Sequence, residues 1–265
     1  MACKILIVGA AGRMGRRIVS LAARSERFNV VGTVERADHP EAGKDAGVVA
    51  GVEPVGVKID SRYVAGADVV VDFSSPSSAE ATLEYCRANN VGLVLGTTGL
   101  NERQRGMVES AAKKVGVVYA SNMSVGMNVL FSLVGKVASM LGDDYDIEIV
   151  EQHHRFKKDA PSGSALTLAE NICKATGRSL DDCIVCGRSG ADAARQPGTI
   201  GIHAVRAGGI TGVHSVVFAS SGEKVELGHT AFSRDTFAAG ALRAAEWLIG
   251  KKAGLYSMAD VLGLD

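Results

Sequence analysis

Lys4-Ile5-Leu6-Ile7-Val8-Gly9-Ala10-Ala11-Gly12-Arg13-Met14-Gly15 is the stretch that decides how this chain folds. Its first five residues form a short, mostly apolar run, suited to a strand buried on both faces of a parallel sheet. The run ends in a turn of small residues, and a helical segment from Arg13 to Arg24 follows. Small side chains at a strand–helix junction let the backbone approach a phosphate. The helix beyond offers unpaired N–H groups and a partial positive charge. The spacing is G-x-x-G-x-x-G rather than G-x-G-x-x-G, so its place at the first strand–helix junction carries the reading. Gly9, Ala10, Ala11, Gly12, Arg13 and Met14 are the expected cradle of a dinucleotide pyrophosphate.

Outward from this turn, apolar and β-branched runs at Asn29–Glu35, Ala67–Phe73, Val91–Leu95 and Val117–Ala120 read as further strands. Helical segments at Ser77–Asn89 and Asn101–Lys114 separate them, with Asn101 as an N-cap. Strands alternating with helices predict an α/β fold, a doubly wound parallel-sheet Rossmann domain. The pattern changes near Ser124. A helix at Met127–Leu141 precedes a strand at Tyr145–Gln152, in which Ile147 and Ile149 are apolar and Glu148 and Glu151 polar. A helix at Ser164–Thr176, several short strands within Ile200–Thr230 with a hairpin at Ser221-Gly222-Glu223, and a helix at Phe237–Ile249 complete the chain. This second part reads as an α+β domain with a mixed sheet.

The 265 residues suffice for two modest domains, and the apolar share of 46% is that of a globular core. Acidic and basic residues balance at 29 each, which argues against nucleic acid as the main partner. No apolar run reaches the roughly 18 residues that a membrane span needs. The first residues enter a strand without a charged leader or cleavage site, so a cytoplasmic protein is expected. Five scattered cysteines do not form a disulfide framework. Cys183-Ile184-Val185-Cys186 has C-x-x-C spacing but lacks a second ligand pair, and is expected to place two small thiols inside a strand. No metal is expected.

The carboxyl ends of the other strands supply the rest of a nucleotide site. Glu35 stands about twenty residues beyond the turn, where a carboxylate accepts hydrogen bonds from adenosine ribose hydroxyls. Arg36 follows and, with Arg13, suits a 2′-phosphate, so both NADH and NADPH are expected as cofactors. Gly96, Thr97 and Thr98 of a Gly-Thr-Thr-Gly loop, and Ala120, Ser121, Asn122 and Met123, occupy equivalent strand ends near the expected nicotinamide. The hydroxyls and backbone of the first of these loops are suited to a carboxamide.

Glu151-Gln152-His153-His154-Arg155-Phe156-Lys157-Lys158-Asp159-Ala160-Pro161-Ser162-Gly163-Ser164 packs imidazoles and cations between a strand and a helix, a combination suited to a small anionic substrate. This segment resembles the signature of the dihydrodipicolinate reductase family. The Gly-x-x-Gly-Arg-Met-Gly start, the Gly-Thr-Thr-Gly loop, Ser121-Asn122-Met123-Ser124-Val125-Gly126 and Arg206-Ala207-Gly208-Gly209-Ile210-Thr211-Gly212-Val213-His214 match it too, in order and over essentially the whole chain. The resemblance implies NAD(P)H-dependent reduction of a cyclic dicarboxylate imine in lysine and diaminopimelate biosynthesis. It implies His153 as the acid/base residue and Lys157 as proton donor or electrostatic partner. His154, Gly163 and Ser164 would bind the substrate carboxylates, and the strand-end residues above would hold the cofactor. It also implies a homotetramer built through the second domain, and a final helix that returns to the first. The expected domains are thus 1–124 with 234–265, and 125–233. Two positions depart from the family pattern: Ser164 stands where Thr is usual, and Met123 where many members have Phe, a change expected to alter nicotinamide packing.

Two other readings compete. A short-chain dehydrogenase would need Tyr-x-x-x-Lys, and none of Tyr63, Tyr85, Tyr119, Tyr145 or Tyr256 has Lys four residues on. A nucleotide sensor without turnover would be expected to have an eroded His153/Lys157 segment, and here it is intact.

Overall fold

The computed structural model describes residues 2–264. Met1 and Asp265, the outer ends of the expected domain ranges, lie outside the described residues. In chain order the elements are β1 (Cys3–Val8), α1 (Arg13–Ala23), β2 (Phe28–Val34), α2 (Ala46–Val49), β3 (Ile59–Asp60), β4 (Val69–Asp72), α3 (Pro76–Asn89), β5 (Gly92–Leu95), α4 (Glu102–Ala112), β6 (Gly116–Tyr119), α5 (Val125–Leu141), β7 (Asp146–His153), α6 (Gly163–Thr176), α7 (Leu180–Cys183), β8 (Ile184–Cys186), β9 (Ile200–Arg206), β10 (Gly212–Ala219), β11 (Lys224–Ala231), α8 (Asp235–Leu248), β12 (Gly254–Tyr256) and α9 (Met258–Leu262).

The chain divides into two compact units. One takes the chain up to Val125 together with Arg234–Leu264, the other Gly126–Ser233. The first unit carries a sheet in the order β12-β6-β5-β4-β1-β2-β3, with all pairs parallel. That is the doubly wound order, and the strand order reverses between β1 and β4, where such sheets bind ligands. The continuous apolar run of β1 is divided between two cores. Ile5 and Ile7 pack with Ile18, Val19, Ala241 and Ala245 of α1 and α8. Leu6 and Val8 pack with Ala79, Leu83 and Val108 of α3 and α4 on the other face. Asn101 caps α4 in a reciprocal box with Gln104.

The second unit carries the order β11-β10-β7-β9-β8, with antiparallel pairs on the β10 side of β7 and parallel pairs on the β9 side. Ile147, Ile149, Ile200, Ile202, Val216 and Phe218 face α5 and α6 and form its core with Met127, Val134, Leu168 and Ile172. The opposite face carries Glu148, His203 and the partly exposed Val205.

Several expectations are corrected. The strands between Ile200 and Ala231 are long, of seven, eight and eight residues. Interspersed glycines and polar residues hide their length in the sequence. Cys183 and Cys186 do not lie inside a strand: Cys183 ends α7, buried with its Sγ 3.1 Å from that of Cys173, and Cys186 is exposed at the end of β8. Among the described residues no helix is long and apolar enough to cross a membrane.

Candidate active site

In the first unit the expected cofactor residues gather at the carboxyl ends of β1, β2, β5 and β6. Gly9 has φ +77°, and its N–H donates to the Val34 carbonyl at 2.9 Å. A Cβ on Gly15 would lie 2.1 Å from the Gly9 oxygen, so α1 meets the turn with backbone against backbone. Gly12 is the N-cap of α1 and provides no side-chain cap, which leaves the first turn of the helix to a ligand. Ala10 and Ala11 are buried beneath the turn, while Arg13 is exposed and Met14 half-buried. Glu35 turns its carboxylate to this turn, accepting from the Ala11 N–H at 3.3 Å, and Arg36 is exposed beside it, 3.6 Å from Asp38. An open helix N-terminus, a glycine turn and an adjacent carboxylate fit a dinucleotide.

Two of the expected contacts take a different form. Thr97 is buried, and its hydroxyl donates to Asp72 Oδ1 at 2.9 Å, so that side chain braces the loop and Thr98 is the exposed hydroxyl of the pair. Met123 is 1% exposed and its side chain packs in the core with Ala238 and Ala241. Gly96 packs under the Phe73 ring, Ala120 and Asn122 are half-buried and Ser121 is exposed. Asn122 Oδ1 accepts from the Ser124 N–H at 2.9 Å, closing a short turn.

In the second unit β7 delivers His153 at its last position, and the loop to α6 brings His154, Lys157, Gly163 and Ser164 after it. His153 Nδ1 lies 2.6 Å from Glu151 Oε2. Burial lowers the proton affinity of His153; Glu151 opposes this, and the charges of Lys157 and Arg206 add to it, so its pKa lies below that of a free imidazole. His154 has a buried Nδ1 with no hydrogen-bond partner. Lys157 Nζ pairs with the exposed Asp159 at 2.8 Å. Gly163 opens α6, and a Cβ there would meet nothing within 4 Å. Ser162 is the N-cap, its hydroxyl accepting from the Ala165 N–H at 3.2 Å.

Three residues whose spacing does not mark them as functional also build this site: Glu151, Arg206 and His214. Glu151 shares the face of Ile147 and Ile149 rather than alternating with them, because residues two apart on a strand point the same way. Its side chain has no exposure, and it accepts from Arg206 Nη1 (2.7 Å), Arg206 Nη2 (2.8 Å) and the Ser162 N–H (3.0 Å) as well as facing His153. Burial opposes its ionisation, but the hydrogen bonds from Arg206 and His153 outweigh it and its pKa is lowered. His214 lies opposite Glu151 across β10, with Nε2 3.1 Å from Ser162 Oγ and its ring edge-on to His153. Burial and the neighbouring His153 push its pKa down to about 3, so it is neutral. The sequence signals for Glu151 are a carboxylate in the apolar phase of a strand and its place at the head of the family signature. Among the described residues no cluster of His, Cys, Asp or Glu could hold a metal ion.

The model of "Dihydrodipicolinate reductase, N-terminus" matches residues 3–123, and that of "Dihydrodipicolinate reductase, C-terminus" matches residues 126–262. The chain is 49% identical over 264 residues to a 4-hydroxy-tetrahydrodipicolinate reductase of Anaeromyxobacter dehalogenans, covering 98% of each. It is 46% identical over 270 residues to one of Chromobacterium violaceum, covering 100% of each. Among solved structures, a dipicolinate-bound dihydrodipicolinate reductase from Paenisporosarcina sp. TG-14 superposes with a TM-score of 0.73 at 22% identity, over 98% of this chain and 99% of that one. An amine dehydrogenase from Mycobacterium smegmatis shares the fold at a TM-score of 0.60 and 12% identity, over 97% and 95%.

Proposed function

The chain belongs to the dihydrodipicolinate reductase family, and from that premise we propose how its residues divide the work. Its activity is that of a 4-hydroxy-tetrahydrodipicolinate reductase, an NAD(P)H-dependent oxidoreductase of lysine and diaminopimelate biosynthesis acting on a cyclic dicarboxylate. We assign dinucleotide binding to the first unit, and substrate binding and tetramer assembly to the second. The glycine turn from Gly9 to Met14 would hold the pyrophosphate and Glu35 the adenosine ribose. Arg36 and Arg13 would admit the 2′-phosphate of NADPH. Gly96, Thr98 and the backbone from Ala120 to Met123 would meet the nicotinamide end, with Thr97 bracing the loop. The bound reduced nicotinamide supplies the hydride.

The observation that carries the substrate assignment is the loop between β7 and α6. It brings the unpartnered Nδ1 of His154, the ammonium of Lys157 and the first turn of α6 at Gly163, which Ser162 caps, into one segment. These are complementary to two carboxylates. In this reading His154, Gly163 and Ser164 hold the substrate carboxylates, and Lys157 exchanges the exposed Asp159 for substrate. His153 gives a proton to the charge that develops on the ring. Free His153 holds its proton weakly, and a bound dianion favours the imidazolium, so arrival of substrate loads the acid.

The test is His153→Gln and Lys157→Ala. Each is expected to lower kcat by at least about a hundredfold, the scale of a general acid, while the Kd for NADH stays within about twofold. Loss of NADH binding with normal turnover at saturation would contradict the assignment. We also propose a cytoplasmic homotetramer that associates through the sheet face carrying Val205. Light scattering of the purified protein should give the mass of four chains; the mass of one or two chains would overturn this.

A further inference from the structure

We propose that Glu151 is a positioning residue for this reaction: its carboxylate fixes the ring of His153 with the proton on Nδ1 and joins that ring to the Ser162 turn. The proposal rests on the assignment of His153 as proton donor and goes beyond it.

The argument begins with where the carboxylate stands. Ile147 and Ile149 precede Glu151 on the core face of β7, yet Glu151 is as buried as they are. A carboxylate without solvent must be matched by donors. Arg206 matches one lone pair on each oxygen, through Nη1 to Oε2 and Nη2 to Oε1. The second position on Oε2 is taken by His153 Nδ1 at 2.6 Å and that on Oε1 by the Ser162 N–H at 3.0 Å. The guanidinium alone would balance the charge, so the other two contacts do more than neutralise it. One holds the imidazole, and the other holds the turn that opens α6.

An ionised carboxylate only accepts hydrogen bonds, so Nδ1 must carry a proton and Nε2 is the nitrogen available to a ligand. Gly212 leaves room beside Nε2, where a Cβ would lie 3.3 Å from it. The groups facing His153 are Glu151 on its own strand, Lys157 in the following loop, itself paired with Asp159, Arg206 on β9 and His214 on β10. His214 is neutral and adds no charge. Glu151 is therefore the anion that opposes Lys157 and Arg206 at this ring. In Glu151→Gln the amide can donate to Nδ1, which moves the proton to Nε2 and removes the charge that favours the imidazolium.

The first measurement is the 15N spectrum of the histidine side chains of the intact protein, with His153 assigned from the His153→Gln variant. Wild type is expected to show Nδ1 protonated and Nε2 bare in the neutral ring. A neutral ring protonated on Nε2 overturns the proposal, and this arm needs no variant at Glu151 to fold. The second measurement is steady-state kinetics of Glu151→Gln. We expect kcat to fall about thirtyfold or more, with KM for substrate and Kd for NADH within about threefold, and the alkaline limb of the kcat–pH profile displaced to lower pH. Glu151→Asp, which keeps the charge, should restore part of the rate and most of the profile. A folded Glu151→Gln with wild-type kcat and pH profile overturns the proposal. If His153→Gln turns over as wild type does, the donor assignment itself fails. If His153→Gln is slow and folded Glu151→Gln is not, only the role of Glu151 fails.

Discussion

At β1–α1 and again at β7–α6 a strand runs through a turn into a helix, and the two junctions are built from opposite materials. Between β1 and α1 the junction is backbone: Gly9, Gly12 and Gly15 bring main chain against main chain, and no side chain caps the helix. Between β7 and α6 the junction is side chains: Ser162 caps the helix, and Glu151, Arg206, His153 and His214 form a hydrogen-bonded and ring-packed group beneath it. The first is suited to a phosphate, whose own charge completes an open helix end. The second is suited to proton transfer, which needs a ring held in one orientation and one tautomer. A shared supersecondary move thus leaves function to what fills the turn.

Three changes break or sharpen this contrast. The largest effect is expected from Arg206→Met, which leaves the Glu151 carboxylate buried without its main partner. It should cost about 3 kcal/mol of unfolding free energy in a denaturant titration, and the double variant with Glu151→Leu should recover much of it. No change from the single variant would mean that Arg206 is dispensable to the group. Next is Gly12→Asp, which gives the first junction a side-chain cap like that of the second. A carboxylate there occupies the helix end and repels the pyrophosphate, and the Kd for NADH should rise about a hundredfold, or ~2.7 kcal/mol, by fluorescence titration. Tight binding in this variant would place the dinucleotide elsewhere.

The smallest effect near neutrality concerns acid. The folded chain holds His214 neutral down to about pH 3, whereas an unfolded histidine takes its proton near 6.5. The stability due to this residue is complete above 6.5. It falls with pH toward 3, because only the unfolded state binds the proton, at about 1 kcal/mol for each unit. His214→Asn should flatten that slope in unfolding measured at a series of pH values.

The first junction was legible because its chemistry is local: an apolar run, small residues and a helix lie within a dozen positions. The strand ends at Glu35, Gly96 and Ala120 follow from the same periodicity. The second was legible only as a cluster of His and Lys. Arg206 lies 55 positions from Glu151, and no local spacing joins them. The sequence also does not say which way a side chain turns at a strand end, so Thr97 and Met123 were placed toward a ligand when one braces Asp72 and the other fills the core. Strands of two or three residues, β3, β8 and β12, are too short to have a period.

The register of β7 against β9 sets His153 beside Arg206 in a parallel pair. A slip of one residue would carry the guanidinium to the other side of the sheet and leave an anion stranded among isoleucines, so misalignment is penalised by charge as well as by packing. During synthesis, then, the imidazole emerges long before its centre can be completed. The buried carboxylate of β7 has its main partner only once β9 has been made and has docked.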